Sequence, residues 1–319
     1  MANTKTPKTR YEVTAKSLNG RTGPSTKHKV KVVRKKGFRF SSTERNGDWV
    51  KASSYWYHKG YLKIVPDPKP SPPVTLRLGT LNIPLDQEKL PDGESRGALA
   101  AKQIKAMGVD ILACQELSRT PGSKSHVYAN QLLKALGSEW AMVTPTMPYN
   151  ENYFFYNKKK VDFLHQEPDL ILPSEVRRGH ATRAIFIVNN KLIYLYNTHL
   201  VNGSKNGPSR ETQARHIAER FTPSTIVMGD FNQSELLEAF KKTHETASVS
   251  AQAASMRSVG TYAKWGSYKT TKQKFDHIKV PKNFTVHTYN VAGINCDGKT
   301  LSKPRVSDHL LVTALITFK

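Results

Sequence analysis

Cysteine, acidic residues and long apolar runs are all scarce in this 319-residue chain, and each shortage excludes a class of protein. The two cysteines, Cys114 and Cys296, are too few for a disulfide framework, so we expect a fold that does not depend on an oxidising compartment. No apolar run approaches the ~18 residues that cross a bilayer. The first ten residues contain no apolar segment, so we expect no signal peptide and a cytoplasmic location in a bacterium or a phage-infected host.

The shortage of acidic residues leaves a large positive charge. Lysine and arginine total 49 against 25 acidic residues, a net charge of +24. Residues 1–73 hold 17 basic and 4 acidic residues, so about half of the excess lies in the first quarter of the chain. Solubility needs a far smaller charge, and acidic residues provide it better. The composition therefore predicts a polyanionic partner, nucleic acid first, then anionic membranes or wall polymers.

Six short apolar stretches end in, or lie beside, a polar side chain of the kind that binds metals or moves protons. The most informative is Thr225–Met228, a β-rich run that passes through Gly229 into Asp230, Phe231 and Asn232. Side chains alternate along a strand, so Asp230 and Asn232 are expected on one side. Each stretch alone is typical of turn chemistry. Six in order are not, and the other five carry Asn82, Glu116, His199, Asp276, and Asp308 with His309.

In this order the pieces Leu-Asn, Gln-Glu, Thr-His, Gly-Asp-Phe-Asn, Asp-His-Ile and Ser-Asp-His resemble the endonuclease/exonuclease/phosphatase family, the fold of DNase I. The resemblance covers residues 74–319. It implies a four-layered α/β sandwich, in which two mostly antiparallel sheets pack face to face with helices outside. The strand ends are then expected to converge on one rim.

The same resemblance implies a divalent metal site. Glu116 follows Gln115 in the way of the family's metal-binding glutamate, with Asn82 helping to hold the metal and Asp308 as a further ligand. Oxygen donors favour Mg²⁺ or Mn²⁺ over Zn²⁺, which prefers histidine and cysteine.

The resemblance also implies the catalytic roles. Asp230 is expected to orient and deprotonate the attacking water, and Asn232 to align that water or hold a phosphoryl oxygen. His309 is expected to contact the scissile phosphate, with Asp276 bonded to its other ring nitrogen. His199 is expected across the phosphate as the second imidazole, and which histidine acts as the acid stays open.

Two further assignments follow from the resemblance, and one from strand alternation. Arg183 matches an arginine that begins a strand and grips a backbone phosphate. Glu151 is the candidate for orienting His199, with Asn152 as a competitor and Tyr153 as an alternative phosphate contact. His277 points away from the expected site in the alternation after Asp276, so we interpret it as structural.

Charge decides between the substrates of this fold, which also serves inositol phosphatases and sphingomyelin phosphodiesterases. Lys269, Lys272 and Lys274 follow Trp265 and precede Asp276 directly, a pattern that suits a nucleic-acid track. We expect a metal-dependent nuclease acting on DNA with little sequence preference, as a monomer. The alternatives are a phosphomonoesterase, a lipid phosphodiesterase, or a non-catalytic DNA- or wall-binding protein.

Residues 66–73, with five prolines, predict a semi-rigid linker between two domains. Ahead of it, residues 1–65 contain a basic arm and short strands separated by turns. The stretches Leu18–Ser25 and Gly47–Lys51 resemble a bacterial SH3-like domain, which implies a small barrel with a cell-wall or protein ligand. Beyond the linker, apolar spacing and end signals predict helices over Ser95–Met107, Tyr128–Leu136 and Ser209–Phe221.

Overall fold

The computed structural model describes residues 4–66, 73–84, 95–117, 126–176, 178–234, 237–250, 260–262, 273–292 and 307–318. The chain divides into two compact units, Met1–Ser71 and Pro72–Lys319. Most of the predicted linker, residues 66–73, lies outside the described residues. Cys296, Trp265, Lys269 and Lys272 also lie outside them.

The N-terminal unit is one antiparallel sheet of seven strands. The strands are β1 Thr4–Val13, β2 Ser17–Arg21, β3 Val30–Lys35, β4 Arg39–Asn46, β5 Trp49–Ala52, β6 Tyr55–His58 and β7 Leu62–Ile64, with a 3-10 turn at Lys59–Tyr61. Their order in the sheet is β3-β2-β6-β5-β4-β1-β7. Because β3 and β7 are the two ends of this order, no closed barrel is found in the described residues, and the expected SH3-like barrel is not confirmed.

The core of this unit is small and depends on a close backbone approach. Val13, Leu18, Ala52 and Tyr57 are buried together. A Cβ at Gly20 would lie 2.5 Å from Val32 and 2.9 Å from the Tyr57 ring, so only glycine lets β2 sit against this core.

The C-terminal unit contains two six-stranded sheets. The first has β8 Val74–Asn82, β9 Ile111–Gln115, β10 Trp140–Val143, β11 Tyr153–Asn157, β18 Thr285–Val291 and β19 Val312–Phe318, in the order β10-β11-β9-β8-β19-β18. The second has β12 Asp162–Leu172, β13 Gly179–Val188, β14 Lys191–His199, β15 Thr225–Asp230, β16 His244–Thr246 and β17 Asp276–Pro281, in the order β12-β13-β14-β15-β17-β16. The central pairs β8–β9 and β14–β15 are parallel, and the other pairs are antiparallel.

Four helices lie on the outer faces of the sheets, and a short fifth helix begins in the core between the sheets. They are α1 Arg96–Ala106, α2 Val127–Leu136, α3 Gly207–Ala218, α4 Glu238–Lys241 and α5 Ala247–Ser250, with a 3-10 turn at Ser204–Asn206. The predicted helices are thus found within three residues of their expected ends. Ser95 caps α1 by accepting from the Ala98 N–H at 3.2 Å, and Gly137, with φ of 93°, ends α2.

Three apolar clusters fill the spaces between the layers of helices and sheets. One lies between the sheets and includes Leu78 of β8 and Phe186 of β13. A second joins α1 and α2 to the first sheet, and a third joins α3 and α4 to the second sheet. The unit is therefore a helix–sheet–sheet–helix sandwich with mostly antiparallel pairing.

The central strands bring their ends to one rim. Asn82 is paired with Gln115 in the first sheet, and His199 with Asp230 in the second. Asp276 begins β17 opposite Asp230. The Ser307-Asp308-His309 stretch, expected in a strand, instead precedes β19, where His309 forms an isolated bridge with Tyr262. Parallel neighbours end at the same sheet edge, which is why these residues converge.

A lysine side chain of β17 is buried beside β16. Lys279 is fully buried, its Nζ donates to Thr246 Oγ1 at 2.7 Å, and its Nζ lies 5.2 Å from the centre of the Phe231 ring. Burial lowers the pKa of Lys279 to about 7. The folded chain therefore releases this proton far below the pH at which an unfolded lysine does.

Lys279→Met should change how stability depends on pH. Between about pH 7 and pH 10 the unfolded chain holds a proton that folded Lys279 has lost, so this group makes folding more favourable as pH rises. The variant lacks this gain. Its unfolding free energy, relative to that of the wild type, should therefore fall by about 1.4 kcal/mol for each pH unit over this range. Urea unfolding of both proteins at pH 7.5 and 9.5 measures it. A difference independent of pH would mean that Lys279 keeps its proton in the folded protein.

Candidate active site

The polar side chains of the rim meet around Asp230, which is 1% exposed. Asn82 Nδ2 donates to Asp230 Oδ2 at 3.1 Å, and the Asn232 backbone N–H donates to Oδ1 at 2.7 Å. Nε2 of His199 and Nε2 of His309 lie 3.5 and 3.7 Å from Oδ2. A buried carboxylate that faces two imidazoles is a suitable centre for proton transfer.

A second buried carboxylate fixes one of these imidazoles. Asp276 Oδ2 and His309 Nδ1 are hydrogen-bonded at 2.8 Å, and Asp276 is fully buried. Burial raises the pKa of Asp276. Burial alone would lower the pKa of His309, but the charges of Asp276 and Asp230 outweigh it and raise that pKa to about 10. His309 is thus held as a cation between two carboxylates.

Glu116 lies at the other side of the rim, directly after β9. Asn82 Nδ2 donates to Glu116 Oε1 at 2.9 Å, and the same oxygen is 3.8 Å from His199 Nδ1. Glu116 has a left-handed backbone with φ of 61°, and Asn232 has φ of 49°. Non-glycine residues in this region cost about 1–3 kcal/mol each and are concentrated at functional sites. The strain turns the chain sharply just where each strand ends.

Gly229 makes the close pairing of His199 and Asp230 possible. Its φ is 146°, and a Cβ there would lie 1.9 Å from the Thr198 carbonyl oxygen of the neighbouring strand. Any side chain at this position would push β14 and β15 apart.

A buried polar network ties the two sheets together behind the site. Gln115 Nε2 donates to Asn197 Oδ1 at 2.7 Å, and Asn197 Nδ2 donates to the carbonyls of Cys114 and Tyr153 at 2.8 Å each. This pair was not predicted from the sequence. The available signal was a carboxamide inside an apolar strand, one residue before Glu116 and two before His199.

Ser307 anchors the loop that carries Asp308 and His309. Its Oγ donates to the Asn82 carbonyl at 2.7 Å and accepts from the His309 N–H at 3.1 Å. Ser307 Oγ also lies 3.2 Å from Asp308 Oδ1. One hydroxyl therefore holds this loop against the end of β8.

A cavity of about 290 Å³ opens beside Glu116 and His199. Its wall supplies both charge signs and several amides, with Tyr149, Asn150, Glu151, Asn152, Arg178, His180 and Asn202 among its residues. Arg178 is exposed and places a cation in this cleft. Arg178 was not predicted from the sequence, because it lies in a loop before β13 with no motif around it.

Arg183 is not brought to this cleft. Its Nη2 lies 3.7 Å from Glu167 Oε2, and its guanidinium lies over the Tyr196 ring at 5.6 Å. Tyr196 belongs to the cluster beneath α3, so alternation along β13 places Arg183 on the outer face of the sheet. The expected phosphate contact of Arg183 is therefore not supported by its position.

Other predicted residues have defined partners. Asn232 Nδ2 donates to the Leu200 carbonyl at 2.9 Å, and the Lys274 backbone N–H donates to Ser234 Oγ at 3.0 Å. His277 Nε2 contacts the Gln233 carbonyl at 2.8 Å, and burial lowers the pKa of this histidine strongly.

The three neighbouring candidates Glu151, Asn152 and Tyr153 have different surroundings. Glu151 lines the cleft with His199, and its role in orienting that histidine stays a prediction. Asn152 Nδ2 instead donates to the His180 carbonyl at 2.9 Å. Tyr153 has its hydroxyl 2.7 Å from His126 Nδ1, and burial raises its pKa to about 12.

Two sets of side chains offer metal ligands. Asp230, Asp276 and His309 each place a ligand atom within 4.8 Å of the others, so this buried group could hold a metal. A metal there would have to displace the proton of His309, whose pKa is about 10. Asn82 Oδ1 is buried without a hydrogen-bond partner among the described residues, and its amide adjoins Glu116. An open amide oxygen beside a carboxylate fits a hard cation such as Mg²⁺ or Mn²⁺.

No protein-family model and no curated protein sequence matches the chain. Among solved structures, an endonuclease/exonuclease/phosphatase family protein from Bacteroides thetaiotaomicron is similar over 77% of this chain and 99% of its own, with 19% identity and a TM-score of 0.62. TDP2 from D. rerio, complexed with single strand DNA product, is similar over 76% and 98%, with 17% identity and a TM-score of 0.57. A mannosyl-6-phosphatase from Bacteroides thetaiotaomicron is similar over 76% and 100%, with 17% identity and a TM-score of 0.58.

No helix among the described residues has both the length and the apolar character needed to cross a membrane. At the identities above, structural likeness establishes architecture alone. The chain has the fold of the endonuclease/exonuclease/phosphatase proteins.

Proposed function

We propose that the chain is a divalent-metal-dependent phosphodiesterase that hydrolyses DNA with little sequence preference. The observation that carries this proposal is the buried Asp230 carboxylate, which faces His199 and His309 beside the oxygen donors Asn82 and Glu116. Hydrolysis of a phosphodiester needs a base for the attacking water and positive charge near the non-bridging oxygens. Both are present within one cluster.

Each side chain then has one task. Asp230 orients the attacking water and accepts its proton. His309, held as a cation by Asp276, contacts the phosphoryl oxygens and stabilises the charge that develops on them. His199, placed between Glu116 and Asp230, lies across the phosphate as the second imidazole.

The metal site of this proposal consists of Asn82, Glu116 and Asp308, with Mg²⁺ or Mn²⁺ as the ion. A bound divalent cation supplies Lewis-acid stabilisation of phosphoryl charge. Asn82 supports this assignment most directly, because its Nδ2 holds both Glu116 and Asp230 while its Oδ1 is left for a ligand.

DNA is the substrate that the charge favours. A net charge of +24 on a chain with a carboxylate-rich centre suits a polyanion longer than one phosphate group. Among the structural neighbours, one is in complex with a single strand DNA product and another is a mannosyl-6-phosphatase, so this fold serves both DNA and sugar phosphates. Lys269, Lys272 and Lys274, which precede Asp276 in the sequence, are the proposed contacts to the DNA backbone.

Removal of the metal or of a central carboxylate should abolish cleavage. We expect nicking of supercoiled plasmid with Mg²⁺ or Mn²⁺ and none in excess chelator. Asp230→Asn and Glu116→Gln should each lower the rate by at least ~10²-fold, because each removes part of the charge-stabilising centre. Glu219→Gln, at the end of α3, is the matched control and should keep the wild-type rate.

The same assay with RNA, inositol phosphates and mannose 6-phosphate tests the substrate class. Cleavage that persists in chelator would contradict the metal assignment. Turnover of a phosphomonoester with intact plasmid would replace the nuclease by a phosphatase of the same fold.

Arg178 rather than Arg183 should bind the substrate. Arg178 lines the cleft, whereas Arg183 is paired with Glu167 on the outer face of the sheet. We expect Arg178→Ala to raise KM about 10-fold with kcat within a few-fold, because a phosphate contact away from the reacting atoms stabilises ground and transition states alike. Arg183→Ala should leave both constants near wild type. The opposite ranking would restore the phosphate contact of Arg183.

A further inference from the structure

The N-terminal unit has an extended segment without acidic residues. Between Glu12 and Glu44 the sequence contains no aspartate or glutamate and nine lysines or arginines. The centre of this segment is the hairpin of β2 and β3 with its connecting loop, residues 17–35. Six lysines in the hairpin or directly beside its ends are exposed, namely Lys16, Lys27, Lys29, Lys31, Lys35 and Lys36.

The hairpin presents these charges in a row. β3 alternates between half-buried and exposed side chains, and Lys31, Val33 and Lys35 are its exposed set. Ser17 and Asn19 of β2 lie directly opposite Lys35 and Val33, so the exposed face combines lysines with small polar groups. From Lys29 to Lys35 the row is about 20 Å long at ~3.3 Å per residue. That length matches the rise of about six base pairs of duplex DNA.

Outside residues 16–36, the described part of the unit has eight lysines or arginines and three acidic residues. All three acidic residues are in ion pairs: Glu12 with Arg39 and Lys63, Glu44 with Lys51, and Asp48 with Lys59. All four ion pairs lie outside the hairpin. The positive charge of the unit is therefore concentrated on the β2–β3 side of the sheet.

We propose that the β2–β3 hairpin binds the phosphate backbone of nucleic acid. The choice of nucleic acid among polyanions rests on the proposed nuclease function. β3 is an edge strand, and lysines also protect such edges from pairing with other chains. Edge protection needs one or two charges on the strand itself, whereas here the charge continues through the loop and past both ends of the hairpin. Backbone binding without base contacts suits an enzyme with little sequence preference.

Two triple variants of the full-length chain test this surface. One is Lys29→Gln, Lys31→Gln and Lys35→Gln on the hairpin. The control is Lys51→Gln, Lys59→Gln and Lys63→Gln, which removes the same charge from lysines that are already in ion pairs. Binding to a labelled 20-base-pair duplex is followed by fluorescence anisotropy across a salt series, with chelator present so that no cleavage occurs.

We expect the hairpin triple to weaken binding at least ~10-fold at low salt. The slope of log affinity against log salt concentration should become shallower by up to about 3, because each lost phosphate contact lowers the magnitude of that slope by about 0.9. The control triple should keep the wild-type slope. Equal losses in the two triples would assign the effect to net charge and overturn the proposal.

A sedimentation assay with insoluble peptidoglycan, run in parallel, tests whether the hairpin binds this wall polymer rather than nucleic acid. Retained DNA affinity with lost peptidoglycan binding in the hairpin triple would overturn the nucleic-acid assignment in favour of a wall ligand. Plasmid nicking is measured separately with Mg²⁺. DNA binding without nicking would contradict the proposed function while leaving the hairpin surface intact.

Discussion

The burial of the Asp230 carboxylate is the constraint on which the arrangement of the C-terminal unit depends. A buried charge without partners costs several kcal/mol, so each neighbouring group must be in place for the fold to be stable. Its partners come from different elements: Asn82 from the end of β8, His199 from the end of β14, and His309 from the loop before β19. Those elements belong to both sheets, so the carboxylate can be satisfied only when the sheets are correctly packed.

The surrounding structure holds this convergence from behind. The Gln115–Asn197 hydrogen bonds link the sheets one layer deeper, and Ser307 fixes the His309 loop to the end of β8. Glu116 and Asn232 have strained left-handed backbones, and this strain accompanies the ending of two strands at the same point. Rigid support of this kind keeps catalytic groups close to a productive geometry, which a cleft formed by loops alone would not.

The parts that the sequence predicted are those that local pattern determines. Strand ends, helix caps and the ordered polar residues depend on short-range alternation and on turn chemistry, so Asn82, Glu116, His199 and Asp230 could be singled out from the sequence. Their expected convergence on one rim came from the family resemblance. The same resemblance suggested a phosphate contact for Arg183, but in the structure this side chain shares the face of the sheet that carries Tyr196, so its position does not support that contact.

Closure of the expected SH3-like barrel is not found among the described residues, and the reason concerns contacts that are distant along the chain. The SH3-like resemblance rested on turns and short strands, which local sequence specifies, whereas closure requires pairing between β3 and β7, which are far apart in sequence. Arg178 had no local signal at all, because loop residues acquire a role only from the cavity they line. Long-range packing thus accounts for the expectations that the structure does not support and for the residues that the sequence did not indicate.

The distribution of charge separates two kinds of interaction with a polyanion. Exposed lysines act through counterion release and interact equally with the bound substrate and its transition state, so they raise affinity without lowering the chemical barrier. The buried Asp276–His309–Asp230 set is different, because its charges are fixed in a site of low dielectric, where charge would develop in the proposed reaction. A surface made only of lysines would bind nucleic acid strongly and cleave nothing. Among the described acidic residues, Asp230 and Asp276 are the most deeply buried, and both belong to the proposed active site.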